Sequence, residues 1–131
     1  HLVAHSFGAL TAIAAARLQP DKVSSILIVA PADPARFGIP DEALAGSIKV
    51  SAQLIASRND PWMSFERAEY WSRQWQVPLF DAGEVGHINA QSGHGEWSQG
   101  LNLLNTLHHR AEMVVDPAST EWGRRAALSF R

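Results

Sequence analysis

The run Ile26-Leu27-Ile28-Val29-Ala30 constrains the fold more than any other stretch of this chain. It is apolar at five successive positions and carries three β-branched side chains. A strand with one face in water alternates apolar and polar residues; an unbroken apolar strand is buried on both faces, as in a parallel sheet covered by helices. Parallel strands cannot be joined by tight hairpins and need long crossovers, usually helical. The rest of the sequence supplies those elements in alternation.

His1 to Ala4 reads as the end of an apolar strand. Phe7 to Leu18 reads as an Ala-rich helix that ends at Gln19-Pro20, because proline disfavours helical geometry in the residue before it. Its small side chains let it lie close against a sheet. Pro31 to Ser47 carries Pro31, Pro34, Gly38, Pro40 and Gly46 and reads as a long loop with room for one short helix. Gln53 to Ser57 is a second strand candidate. Ser64 can cap a helix reaching about Gln74, and Val77 to Asp81 is a third strand candidate. Ala82 to Gly95, with four glycines, is a loop. A last helix is expected from about Glu96 to His108, with Trp97, Leu101 and Leu104 on one face and Leu103 and Leu107 beside them. The polar tail Ala111 to Arg131 receives no assignment. The fold class is therefore α/β with a mostly parallel sheet. Residues 1–109 are expected to form the α/β domain and residues 110–131 a separate tail.

With 131 residues the chain can form one domain with a true core. Eleven Lys and Arg oppose thirteen Asp and Glu, a formal net charge of −2, so nothing draws the chain to nucleic acid or to an anionic membrane. There is no cysteine, which excludes a disulfide framework and a thiolate metal site and is compatible with a cytoplasmic location. The most apolar stretch, Ala9 to Ala16, is broken by Thr11 and falls far short of the roughly 20 residues of a spanning helix. No repeat, low-complexity tract or signal peptide is visible. The chain opens on His1 and not on Met, so further chain is expected upstream.

Ala4-His5-Ser6-Phe7-Gly8 stands where the first strand passes into the first helix. It lies one residue from Gly-x-Ser-x-Gly, the nucleophile elbow, a sharp turn that requires small residues two before and two after the serine. Ala4 departs from glycine but stays small, and Gly8 keeps the second position. The turn lifts the serine oxygen at a helix N-terminus, where the peptide dipoles favour a developing anion. Serine is also a common helix cap, and a bare Ser-x-Gly would be read that way. The strand before and the helix after favour the elbow.

A serine hydroxyl needs a base, and the base needs an orienting acid. In this fold they follow in the order Ser, Asp or Glu, His. Asp60 follows one strand in Ser57-Arg58-Asn59-Asp60-Pro61. His87 follows the next in Gly83-Glu84-Val85-Gly86-His87-Ile88-Asn89. Both fall at carboxyl ends of strands, where open α/β sheets gather functional residues. Each also has a plain explanation, Asp60 as a turn residue before proline and His87 as a loop histidine; the two together, in order, are the less ordinary coincidence. Asp33 is the second choice of acid, and Asp81 is expected to end its strand. His94 is the rival base. His5 adjoins the serine, but the elbow is expected to turn it away from the serine oxygen. His108 and His109 suit the negative end of a helix and, as helix neighbours, are a poor metal pair. No zinc-type spacing and no phosphate loop exist, so no metal or cofactor is expected. Of the five tryptophans, Trp62 beside Asp60 is expected to line a substrate pocket, and Trp71, Trp75 and Trp97 to pack in the core or between helices.

Four separated blocks carry a family resemblance: Leu2 to Gly8, Val29 to Pro34, Ala56 to Pro61, and Asp81 to Asn89 followed by Gly93-His94-Gly95-Glu96-Trp97. Together they resemble the bacterial branch of the retinoblastoma-binding-protein-9/YdeN family, which are small α/β-hydrolase-fold serine hydrolases. The resemblance runs from His1 to about His109. It implies Ser6 as nucleophile, Asp60 as triad acid and His87 as base, and Ala4 is common at its position in that branch. It also implies strands and helices ahead of the elbow, so the chain is expected to be the C-terminal part of a three-layer domain of roughly 190 residues. The loop after the first of those strands supplies one backbone donor to the oxyanion hole, leaving the N–H of Phe7 here. Losing one such donor costs on the order of 100- to 1,000-fold in rate.

The leading reading is a serine hydrolase acting on a small ester or amide through an acyl-enzyme. The alternatives are a non-catalytic interaction module that binds a protein partner on a hydrolase scaffold, and a chain inactive without its upstream strands. A complete triad argues against the interaction module.

Overall fold

A computed structural model describes residues 1–115. Its elements are β1 (Leu2–Ser6), α1 (Phe7–Leu18), β2 (Ser25–Pro31), α2 (Asp41–Leu44), β3 (Ser51–Ala56), α3 (Phe65–Trp75), β4 (Leu79–Asp81) and α4 (Ser98–Val115). Short 3-10 turns occupy Pro20–Lys22, Pro34–Phe37 and Ala90–Ser92. The strands form one sheet in the order β1-β2-β3-β4, and every neighbouring pair is parallel.

β2 is buried at all seven of its positions. Ile26 and Ile28 point to one face, where they meet Ala9, Ile13 and Ala16 of α1 and Ala68, Trp71 and Trp75 of α3. Leu27 and Val29 point to the other, where they cluster with Ile55 of β3 and Ile88 and are covered by Leu107 of α4. Helices therefore lie on both sides of the sheet, giving three layers. The buried alanines of α1 allow its backbone to approach the sheet closely. Among the described residues no helix is long and apolar enough to cross a membrane.

α3 shows how local sequence sets an element. The Ser64 hydroxyl accepts the N–H of Arg67 at 3.3 Å and caps the first turn, and Gln76 closes the helix in a left-handed conformation. Ala68, Trp71 and Trp75 recur at helical spacing and are buried. The two indoles stack at 4.9 Å. Trp75 Nε1 donates to the Leu44 carbonyl at 2.9 Å, which ties α2 to α3. Trp71 Nε1, equally buried, has no acceptor among the described residues.

Arg67 is the main polar tie on this side of the sheet. It grips both oxygens of Asp33 at 2.9 Å and both oxygens of Asp41 at 2.8 Å. Its guanidinium also lies 4.9 Å from the centre of the Tyr70 ring. These bonds hold the Asp41 carboxyl below its ordinary range and keep Arg67 charged. One cation thus anchors the whole excursion between β2 and β3.

The elements differ from sequence expectation in their bounds. β1 continues through His5 into Ser6, and β3 begins two residues earlier than expected. β4 begins at Leu79, since Pro78 has no N–H to give to a ladder. α4 continues to Val115, past the end expected at His108, because no glycine or proline intervenes between Gly100 and Pro117 and Ala111 is buried. The expected α4 face is corrected as well. Leu101 is 58% exposed, and Trp97 precedes the helix. The stripe facing the sheet is Leu103, Leu104, Leu107 and Ala111, which share one side at about 100° per residue while Leu101 does not. The remainder of the expected tail, 116–131, lies outside the described residues.

Trp75→Phe is expected to lower the unfolding free energy by about 1 kcal/mol more than Trp71→Phe, because only the former strands a carbonyl acceptor. Parallel urea melts of the two variants check this. Arg67→Ala should cost about 1–2 kcal/mol after allowance for its partial exposure. Because Asp41 is held below its ordinary pKa, its contribution is present above about pH 4 and fades as the pH falls below that. Acid titration of wild type and Arg67→Ala should therefore converge at low pH.

Candidate active site

β1 ends in a sharp turn. Ser6 has φ 57° and ψ −127°, a strained conformation for a residue with a side chain, and the pairing of β1 with β2 shifts register between His5 and Ser6. α1 begins at the next residue. The Ser6 hydroxyl makes no capping bond to that helix. It lies 2.8 Å from Nε2 of His87.

His87 comes from the loop after β4 and is 7% exposed. Its Nδ1 lies 2.9 and 3.0 Å from the two oxygens of Asp60, whose side chain is 3% exposed. A carboxylate only accepts, so Nδ1 carries the proton and the Nε2 lone pair is left to accept from the Ser6 hydroxyl. Asp60, on the loop after β3, also accepts the N–H of Trp62 at 2.8 Å. The structure thus brings Ser6, His87 and Asp60 into one hydrogen-bonded chain at the carboxyl edge of the sheet.

Two residues that the sequence reading did not single out bind the Asp60 loop to the His87 loop. Ser57, 1% exposed, donates to Asn59 Oδ1 at 2.9 Å and accepts the N–H of Val85 at 3.0 Å. Asn59 Oδ1 also accepts the N–H of Gly86 at 2.7 Å. Gly86 has φ 64°, and a Cβ there would come 2.7 Å from Ser92 Cβ, so the approach to His87 needs glycine. The signal available was the short polar pair Ser57 and Asn59 ahead of Asp60, which favours turns through side-chain bonds to the backbone.

The surroundings are aromatic. The Trp62 ring is 42% exposed and lies 5.9 Å from the His87 ring. Arg36 sits 5.3 Å over Trp62 and donates to the Pro61 carbonyl at 2.6 Å. Phe7 and Phe37, 46% and 44% exposed, meet edge to face at 4.8 Å. Pro61, Trp62, Gly86, His87, Asn89 and Gln91 line a cleft of about 190 Å³. As the first residue of α1, Phe7 has an N–H without an intrahelical acceptor.

The rival residues are engaged elsewhere. Asp33 is held by Arg67, and Asp81 by Arg58 at 2.6 Å. His94 lies beside Ser92 and packs edge-on against Trp97. His108 packs on His1, and His109 is exposed near Glu112. His5 is engaged through its Nε2, which lies 2.7 Å from the His87 carbonyl. Among the described residues no group of three or more His, Asp or Glu is placed to hold a metal ion.

A parallel sheet with helices on both faces and a strained strand–serine–helix turn defines an α/β-hydrolase fold. Within that class the match is specific. The serine hydrolase family profile covers residues 1–106. A YdeN-like hydrolase from Pectobacterium atrosepticum is 41% identical, with a TM-score of 0.80 over 84% of this chain and 60% of that one. The chain belongs to the serine hydrolase family and is similar to this YdeN-like member, of which it spans 60% of the length. Two further structures share the fold alone. They are a meta-cleavage product hydrolase from Pseudomonas fluorescens IP01 (15% identity, 85% of this chain and 65% of that one, TM-score 0.63) and an esterase domain from Rhodothermus marinus (16%, 70% and 53%, 0.56). No curated protein sequence matches the chain.

Ser57→Ala removes the acceptor of the Val85 N–H and the donor to Asn59. It should cost about 1–3 kcal/mol in unfolding free energy. An unchanged denaturation midpoint would show that the two loops hold together without it.

Proposed function

We propose that this protein is a serine hydrolase that cleaves small esters or amides. The carrying observation is the chain from Asp60 through His87 to Ser6, with contacts of 2.9 and 2.8 Å between groups from two loops and the end of β1. Membership of a serine hydrolase family supports the same reading.

In this mechanism His87 takes the Ser6 proton as Oγ bonds to the substrate carbonyl carbon. Asp60 stabilises the resulting imidazolium. The oxyanion is held by the N–H of Phe7 at the positive end of α1. Collapse breaks the bond to the leaving alcohol or amine, which receives the proton from His87. Water then attacks the acyl-enzyme with His87 again as base, which releases the acid and restores Ser6. Trp62 forms the aromatic wall of the cleft beside His87. The residues in these roles need no cofactor.

Intact-mass labelling with a fluorophosphonate is expected to add one adduct that is lost in Ser6→Ala. Hydrolysis of p-nitrophenyl acetate should fall by a factor on the order of 10⁴ or more in Ser6→Ala and in His87→Ala, and by about 10⁴ in Asp60→Asn. Wild-type turnover in Ser6→Ala would overturn the proposal.

A further inference from the structure

We infer that His5 is a positioning residue for His87, holding its backbone while Ser6 meets its ring. This rests on the reading of His87 as the base. His5 stands opposite Val29 in the β1–β2 ladder, so it shares the face on which Val29 packs with Ile88. Its Nε2 lies 2.7 Å from the His87 carbonyl oxygen. A carbonyl only accepts, so His5 donates from Nε2–H. The two imidazole rings also touch, with centres 4.6 Å apart and planes tilted by 56°. Two consecutive residues of β1 therefore grip His87, one at its backbone and one at its ring.

The peptide held in this way is strained. Ile88 has φ 48°, a left-handed conformation that is a true outlier for a β-branched residue. It does not relax freely, because its side chain is 6% exposed and packed in the cluster with Val29. The donor on His5 satisfies the carbonyl that this turn directs toward β1. Without it the half-buried carbonyl has no partner among the described residues, and the turn can relax only by rotating the residue that carries the His87 ring. Such a rotation moves Nε2 off the line to Ser6. His5 cannot itself serve Ser6 as base through Nε2, since that nitrogen is already committed.

The role separates from simple packing by comparing side chains that keep or lose the donor. His5→Phe keeps a ring against His87 and removes the N–H. His5→Gln keeps an N–H at similar reach, and His5→Asn carries the same amide but is too short. On p-nitrophenyl acetate, His5→Phe and His5→Asn are expected to lower kcat about tenfold with KM nearly unchanged, and His5→Gln to recover most of it. The downfield Nδ1–H proton resonance of His87 should broaden in His5→Phe and sharpen again in His5→Gln. Should His5→Phe fail to fold, the Gln and Asn variants at matched melting temperature carry the comparison. Wild-type kcat in His5→Phe or His5→Asn, or equal kcat in the Gln and Asn variants, overturns the inference. Ser6→Ala measured alongside keeps the two ideas apart: turnover in Ser6→Ala sinks the base assignment itself, whereas an inactive Ser6→Ala with fully active His5→Phe sinks only the positioning role.

Discussion

Everything in this structure depends on burying β2 from both sides. Each large aliphatic side chain taken fully out of water contributes about 1.5–3 kcal/mol. The four such residues from Ile26 to Val29 together are comparable with the whole net stability of a typical domain, about 5–15 kcal/mol. No single layer can collect that energy, because alternate residues of a strand face opposite ways. α1 and α3 must cover Ile26 and Ile28, and α4 must cover Leu27 and Val29. Once the helices are so placed, the parallel strands all end on one edge, and the loops that follow them have to meet there.

That edge is held by polar contacts in addition to apolar ones. Ser57 and Asn59 join the loop after β3 to the loop after β4. Arg67 anchors the excursion between β2 and β3 through two carboxylates, and Arg36 reaches from the same excursion to Pro61 and Trp62. Left-handed residues are concentrated in this region: Ser6, Ala30 and Ile88 all have positive φ. Strain of this kind persists only where the surroundings over-determine the backbone. Here the surroundings are the buried faces of the sheet beneath and the hydrogen bonds between loops above.

The alternation of strands and helices was legible in the sequence because burial on both faces leaves an unbroken apolar run, and because Pro20 and Ser64 mark where helices stop and start. The elbow was legible too, since the small residues at Ala4 and Gly8 bracket a serine between a strand and a helix. Bounds were less so. The start of β4 turns on one missing N–H at Pro78, and the length of α4 on the absence of a breaker. The exposed Leu101 shows that apolar character alone does not tell which side of a helix meets the sheet.

By itself, then, the sequence determined the layered α/β class and a serine at a strand-to-helix turn, because periodicity and steric size are local properties of a chain. It also put Asp60 and His87 after successive strands. Only the tertiary structure decided which imidazole stands against Ser6. His87 and His94 share one glycine-rich loop, and nothing local separates them. The path of that loop does, through the left-handed turns at Gly86 and Ile88 and the bonds reaching it from Asn59 and His5. Those contacts join residues 27 and 82 positions apart, so they exist only once the sheet has brought the loops together.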